Sequence, residues 1–398
     1  MIQKLLQKRV QEFIRQHAND DEQKLLLKQT TFFDVSASAI AWQIAGRRKA
    51  KIKIPLYYNT ANIVYPPGIN LEQSSSEQTA AFKARVLLEQ LSTTTSLIDL
   101  TGGFGIDSYF FSKKFDRVTY VEPNSELLDY AKHNHSELGC KNIRHLNSTA
   151  EEFLESLTEA VDCFYIDPSR RSSSNNKVFK LSDCEPNVIT LLPGIFKRAN
   201  YLMIKAAPLL DVQQALRELI FVKHVWVVSV SNEVKELLLL CEKDYKEQAT
   251  ITAVNLESGH QPFTFQLADE QKTQALFSNP LAYLYEPNGS ILKAGAFKSV
   301  AEKFALSKLH ANTHLYTSDA LINDFPGRIF KTEALLKADA KAVASYFPDR
   351  KVNVITRNYP LSPDELKKKL KLQDGGEQYL IACSGEKQKF LIAAGRLK

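Results

Sequence analysis

Two hydrophobic periods divide this chain. Up to about residue 90 the apolar side chains recur at helical spacing. Leu5, Leu6, Val10, Phe13 and Ile14 form one stripe, and residues 78–91 carry another. The serines ahead of the second stripe predict an N-cap at Ser74 or Ser75, supported by Glu77 or Gln78. From Leu97 the pattern becomes short apolar runs alternating with amphipathic stretches. Residues 96–100, 117–122, 143–146, 161–166, 201–205 and 224–229 read as strands, with helices such as 125–138 and 211–219 between most of them. This alternation predicts an α/β fold, a doubly wound Rossmann-like sheet whose right-handed crossovers put helices on both faces. Residues 251–256 and 262–266 read as a hairpin able to complete an antiparallel edge.

Further along, NEVKE at 232–236 is expected to open a helix with its acids at the positive end. Residues 297–309 are expected to form a long amphipathic helix. VNVITRN at 352–358 reads as a strand, 362–370 as a helix opened by Ser362-Pro363, and QYLIACS and KFLIAAG as paired strands. The turn-rich stretches at 65–68, 279–280 and 325–328 divide the chain. The expected domains are a helical one over 1–90, the Rossmann-like one over 91–270, and two small α+β domains over 278–324 and 325–398.

Composition narrows the class. Hydrophobic residues make up 44% and charged residues 24%, the balance of a folded globular protein rather than a disordered one. No apolar run approaches the roughly 20 residues that span a bilayer, and the first residues lack the form of a secretory leader. Cys140, Cys163, Cys184, Cys241 and Cys383 lie scattered, without metal or redox spacing. His133 and His135 sit two apart on an expected helix and so do not share a face. The expectation is a cytoplasmic protein with reduced thiols, no membrane segment and no metal. The formal charge of +6 is mild, but RRKAKIK at 47–53 and the lysines of 367–371 are concentrated. Each reads either as a solvated face or as contact with a polyanion.

The sharpest chemical signal is LIDLTGGFGID, residues 97–107, a glycine loop between a strand and a helix. Gly102, Gly103 and Gly105 allow close backbone approach to a ligand, and the helix start beyond them favours an anionic group. Asp99 at the strand end suits a cationic amino group. Glu122, ending the next strand, suits a ribose diol. The pattern therefore predicts a nucleoside cofactor. A dinucleotide fingerprint would place a third glycine where Ser108 stands, so the match to G-x-G-x-x-G fails.

The loop instead resembles the first motif of class I methyltransferases, with Thr101 where a glycine is common. YIDPSRR at 165–171 resembles the strand-end motif beside the reacting methyl in that family. Beyond these, LEQSSSEQTAAFKA, VSVSNEVKELLL, YLYEPNGSILKAGAFK, NTHLYTS, FPGRIF and RNYPLS resemble bacterial class I methyltransferases with a ferredoxin-like domain and a C-terminal THUMP-like domain. The resemblance implies S-adenosylmethionine as cofactor, held by Asp99, Thr101, Gly102, Gly103, Gly105, Asp107 and Glu122. It implies a reacting centre at Asp167 and Pro168, and RNA as substrate. Arg170, Arg171 and Lys205 are expected to bind the substrate, the arginines by clamping phosphate or else by pairing with Asp183 or Glu185. Ser169 and Arg170 stand where amino-directed relatives carry a proline and an aromatic platform, which leaves the methylated atom open. A cysteine nucleophile for carbon methylation has no supporting pattern at Cys163 or Cys184. Two other functions stay in view: a non-catalytic RNA-binding or assembly protein that retains the cofactor fold, and an NAD(P)-dependent oxidoreductase.

Overall fold

In the computed structural model, residues 1–28, 30–170 and 180–397 are described. The N-terminal region is helical. Its main elements are α1 (Ala37–Lys53) and α2 (Glu77–Gln90). The cap of α2 is Ser76, whose side chain accepts the Thr79 N–H, rather than Ser74 or Ser75 as expected. Ser74 instead ends the preceding short helix, and Ser75 is buried and turned to other use.

The sheet follows: β1 (Ser96–Asp99), α3 (Ile106–Ser112), β2 (Arg117–Val121), α4 (Ser125–Glu137), β3 (Ile143–Leu146), α5 (Ala150–Ser156) and β4 (Val161–Ile166). Then come α6 (Val188–Phe196), β5 (Ala199–Ala206) and α7 (Val212–Glu218). The five strands are all parallel, in the order β3-β2-β1-β4-β5. The order reverses direction beside β1, so β1 and β4 are central neighbours whose carboxyl ends border the ligand crevice of such sheets. Buried runs such as Cys163–Ile166 and Leu202–Ile204 are covered on both faces, which is why they read as continuous apolar strings.

The chain divides into two compact units, one of residues 1–222 and 238–246, the other of 223–237 and 247–398. The second unit holds most of β6 (Val222–Val230), the first half of β7 (Glu233–Glu242), β8 (Thr250–Leu256) and β9 (Phe263–Gln266). β6 runs parallel to β8, and β8 pairs antiparallel with β9, the expected hairpin. The helix expected at 232–236 is instead strand β7. Ser231 and Asn232 both take left-handed φ, 50° and 68°, and make a two-residue turn, while Leu237–Cys241 are all fully buried. Four consecutive leucines imitate a helix, but five consecutive buried side chains need a strand covered on both sides.

The rest of this unit is one seven-stranded sheet. Its elements are β10 (Tyr283–Pro287), α8 (Gly289–Ala294), α9 (Ser299–Lys303), β11 (Ser307–His310), β12 (Thr313–Ser318) and β13 (Gly327–Leu336). They continue with α10 (Ala340–Tyr346), β14 (Asn353–Arg357), α11 (Pro363–Leu370), β15 (Gln378–Ser384) and β16 (Lys389–Arg396). The strand order is β11-β12-β10-β13-β16-β15-β14, antiparallel except for the parallel β14–β15 pair. Leu380 and Leu391 pack with Val343, Phe347, Leu366 and Leu370 of the helices, while Ile381 and Ile392 join the opposite face with Leu284 and Phe330. The long helix expected over 297–309 is broken. Glu270 caps the start of α9 by accepting the Phe297, Lys298 and Ser299 N–H groups, and Ala305 at φ 50° turns the chain into β11.

Candidate active site at the carboxyl ends of the strands

The glycine loop leaves β1 and returns into α3, and each glycine has its own reason. A Cβ on Gly102 would lie 2.3 Å from the Tyr120 ring, and one on Gly105 would lie 2.7 Å from the His135 ring, at a φ of 84°. Gly103, at φ 54°, has among the described residues only the Thr101 carbonyl within 4 Å of its notional Cβ, at 3.7 Å. Two glycines thus serve packing, and the third has free space beside it among the described residues. His135 Nε2 donates to the Gly105 carbonyl (2.8 Å), so its Nδ1 accepts from His145 Nε2 (2.8 Å). Burial pushes both imidazoles down, His135 to about 3 and His145 to about 4, which keeps this support neutral.

Asp99 lies buried beneath the loop. It accepts the Thr101 N–H (3.0 Å) and the Ser108 hydroxyl (2.6 Å), and burial raises its carboxyl to about 7 against those two bonds. Glu122 ends β2 nearly buried. Its two oxygens accept the Gly103 N–H and the Asn124 N–H, both at 2.9 Å. A carboxylate has about four lone-pair sites, so half of that capacity is left for a ligand.

Thr101 is the hinge between two loops. Its hydroxyl accepts the backbone N–H of Asp167 at 2.7 Å, joining the glycine loop to the end of β4. The Asp167 carboxylate pairs through Oδ2 with Lys205 at the end of β5, and Pro168 is buried behind it. Lys205, expected to bind the substrate, pairs here with the Asp167 carboxylate. Arg170 lies on a two-residue strand paired with Cys184–Glu185, and Arg171 lies outside the described residues.

Sequence reasoning missed Lys83, a lysine on α2 with no exposed surface. Its ammonium donates to Ser75 (3.1 Å) and lies 3.3 Å from Asp107 Oδ1. Asp107, in the first turn of α3, also accepts the Ser75 and Tyr165 hydroxyls, each at 2.8 Å. Burial would raise the Asp107 carboxyl, but Lys83, Lys205 and these hydroxyls together hold it below its ordinary value. Lys83, Asp107, Lys205 and Asp167 are a row of alternating charge behind the crevice. The one sequence hint was a lone lysine inside the apolar stripe of 78–91. Among the described residues no group of His, Cys, Asp and Glu could hold a metal, and no helix is long and apolar enough to cross a membrane.

Strand order, glycine loop and acidic strand ends define a Rossmann-like methyltransferase fold. A ferredoxin-like domain family matches residues 283–326, and a family described as THUMP domain-like matches residues 327–396. The chain is similar to a crystal structure from Porphyromonas gingivalis W83 that carries a provisional methyltransferase name. The two share 30% identity over 100% of this chain and 99% of that one, with a TM-score of 0.85. This chain belongs to the same family of methyltransferases with ferredoxin-like and THUMP-like C-terminal segments. Two smaller structures match at 17% identity and TM-scores of 0.31, too distant to carry an argument. One is a provisionally named methyltransferase of Streptococcus mutans in complex with SAH (40% of this chain, 95% of that one), the other an rRNA methylase of Streptococcus thermophilus (41% and 94%). No curated protein matches the chain.

Proposed function

We propose that the protein is an S-adenosylmethionine-dependent methyltransferase acting on RNA, with the acceptor held at the Asp167-Pro168 loop. The observation that carries this is the Thr101–Asp167 bond, which locks the cofactor loop to the acceptor loop across neighbouring strand ends. The residues present fit the cofactor. Among the described residues the atom nearest a Cβ on Gly103 is backbone at 3.7 Å, and Glu122 has spare acceptor capacity for a ribose diol. When bound, the cofactor supplies an electrophilic sulfonium methyl group.

The chain's own residues then do two things. Gly103 and Glu122 hold the nucleoside end, while Gly102 and Gly105 let the loop pack closely enough to present its backbone to it, and Asp99 and Asp107 set the loop from behind. Asp167, pinned by Lys205 through one oxygen, keeps Oδ1 without a hydrogen bond among the described residues. That oxygen accepts a hydrogen bond from an exocyclic amine, or its proton as the new bond forms, and the Pro168 carbonyl offers a second acceptor. Catalysis of this kind is mainly positioning. Arg170 and Arg171 remain candidates for the substrate's phosphate. A base within a helix would have to leave its stack to reach the pocket.

RNA is favoured by the THUMP-like segment and by charge. Residues 327–396 carry fourteen Lys and Arg against eight Asp and Glu, a net +6 equal to that of the whole chain, so the remainder is neutral. In this proposal the domains are a helical one over 1–90, the Rossmann-like one over 91–270, a ferredoxin-like one over 278–324 and a THUMP-like one over 325–398. To test it, RNA from a deletion strain is incubated with enzyme and methyl-labelled S-adenosylmethionine, and the label is mapped. Label in one nucleotide is expected, with Asp167→Ala about a hundredfold slower at nearly unchanged cofactor affinity. Full transfer by Asp167→Ala would misplace the centre, and no label in any RNA would remove the substrate class.

A further inference from the structure

The chain has two basic runs, and the structure treats them differently. In the first, Arg48 pairs with Glu22 (2.8 Å), and Lys49 pairs with Glu72. Lys53 donates to the Leu71 and Glu72 carbonyls, and Arg47 lies over the Tyr58 ring. Two of that run's five charges are thus paired with carboxylates and two more are held in place by carbonyls or a ring, which leaves Lys51 as its remaining exposed cation. In the second, Lys367 alone forms ion pairs among the described residues, with Asp364 and Asp374. Lys368, Lys369 and Lys371 are exposed.

Folding enlarges this second cluster. The Gln373 N–H donates to the Arg350 carbonyl (2.7 Å), and the Val352 N–H donates to the Gln373 carbonyl (2.9 Å). Lys351 and Gln373 form a parallel bridge. Exposed Arg350 and Lys351 are thereby brought beside the end of α11, although they lie about twenty residues away in sequence. Lysines in the last turn of a helix are ordinarily explained by its dipole. That explanation does not reach Arg350 and Lys351, which belong to another segment. The carboxylates of the two segments around this junction are Asp349, Asp374 and Glu377, of which Asp374 is taken by Lys367.

We propose that Arg350, Lys351, Lys368, Lys369 and Lys371 form a docking face for the phosphate backbone of the substrate RNA. The proposal rests on the RNA reading above and adds where the polyanion is held. Four of the five are Lys368, Lys369, Lys371 and Lys351, point charges rather than planar forks, so the face binds backbone without reading sequence.

The test uses the full chain and radiolabelled bulk transfer RNA and bulk ribosomal RNA in filter binding at several salt concentrations. One variant combines Arg350→Gln, Lys351→Gln, Lys369→Gln and Lys371→Gln, all at exposed positions. A control combines Arg117→Gln, Lys141→Gln, Arg144→Gln and Lys197→Gln, equally exposed and of equal charge change. The first variant is expected to lose at least tenfold in affinity near 0.1 M salt. Its slope of log affinity against log salt should flatten by about three, since each phosphate contact contributes roughly 0.7–0.9. The control should change less than twofold, and both should keep wild-type melting temperature and cofactor affinity. Wild-type affinity and slope in the first variant, or equal losses in both, would overturn the docking face while leaving RNA as substrate. Failure of the wild type to bind either RNA in a salt-dependent way would remove the RNA reading, and this proposal with it.

Discussion

At the scale of single residues, Thr101 shows what one sequence can and cannot tell. The loop was legible because glycines before a helix have few other uses, and Thr101 read only as a departure from that pattern. Its purpose is a tertiary bond to the Asp167 N–H, which no spacing encodes. Thr101→Val removes the acceptor and leaves that N–H unpaired. Cofactor affinity should stay within a few-fold while methyl transfer falls at least tenfold, and Thr101→Ser should restore it. Calorimetry and single-turnover rates check this, and equal activity in Val and Ser variants would make the bond merely structural. Gly103→Val should abolish cofactor binding, because its side chain fills the open side of the loop. Asp99 and His135 make a further case. Asp99 is raised to about 7, so what its proton contributes is intact below about pH 4 and is lost as pH rises through 7. His135 is lowered to about 3, so its contribution is present above about pH 6.5 and is lost as pH falls. Over pH 4.5–6 the two oppose each other by one proton each. Asp99→Asn should therefore steepen the rise of unfolding free energy with pH by about 1.4 kcal/mol per unit. Urea titrations at three pH values decide it, and unchanged slopes would refute the buried proton.

At the scale of elements, the parallel strands were readable and some helices were not. Strands covered on both faces announce themselves as apolar strings, but β7 carries the same leucines a helix would, and only the left-handed Ser231-Asn232 turn reveals it. The expected helix over 297–309 failed for a similar reason. Its start is set by Glu270, about thirty residues earlier, and its end by the backbone of Ala305. Lys83 was illegible because a buried lysine on an apolar stripe has no meaning without its partner on another helix. Removing it shows what α2 does for α3. Lys83→Met leaves Asp107 buried with its chief counter-charge gone and should destabilise the chain by about 3 kcal/mol, the scale for breaking a buried pair. Adding Asp107→Leu should recover most of that stability, since paired burial is often matched by apolar contact. If the pair also shapes the cofactor loop, the recovered double variant still binds cofactor poorly. Recovery of both stability and affinity would limit the pair to packing.

At the scale of the whole molecule, charge is unevenly assigned. Residues 327–396 hold the entire net +6, whereas the charges at the strand ends of the Rossmann-like part stand in local pairs: Lys205 with Asp167, and Lys83 with Asp107. Such buried or half-buried pairs are screened little by salt, whereas exposed cations facing phosphate are screened strongly. The proposed cofactor site consists of backbone N–H groups, glycines and two carboxylates, none of which depends on a counterion atmosphere. The two binding events should therefore separate in one salt series. Between 50 and 200 mM salt, RNA affinity should fall by roughly two to three orders of magnitude if about five phosphates are neutralised, in proportion to the counterions released. S-adenosylmethionine affinity should change less than threefold over the same range. Both are measured on the same full-length protein, by filter binding and by calorimetry, so folding defects affect them alike. A parallel decline of both affinities would mean that the cofactor is also held by exposed charge, and the glycine loop with Glu122 would not be its site. A flat RNA curve would mean that the excess charge of 327–396 serves solubility alone. Because each neutralised phosphate contributes roughly 0.7–0.9 to the salt slope, a slope of about four would match the five exposed cations proposed beside α11, and a slope near eight would require a second basic surface.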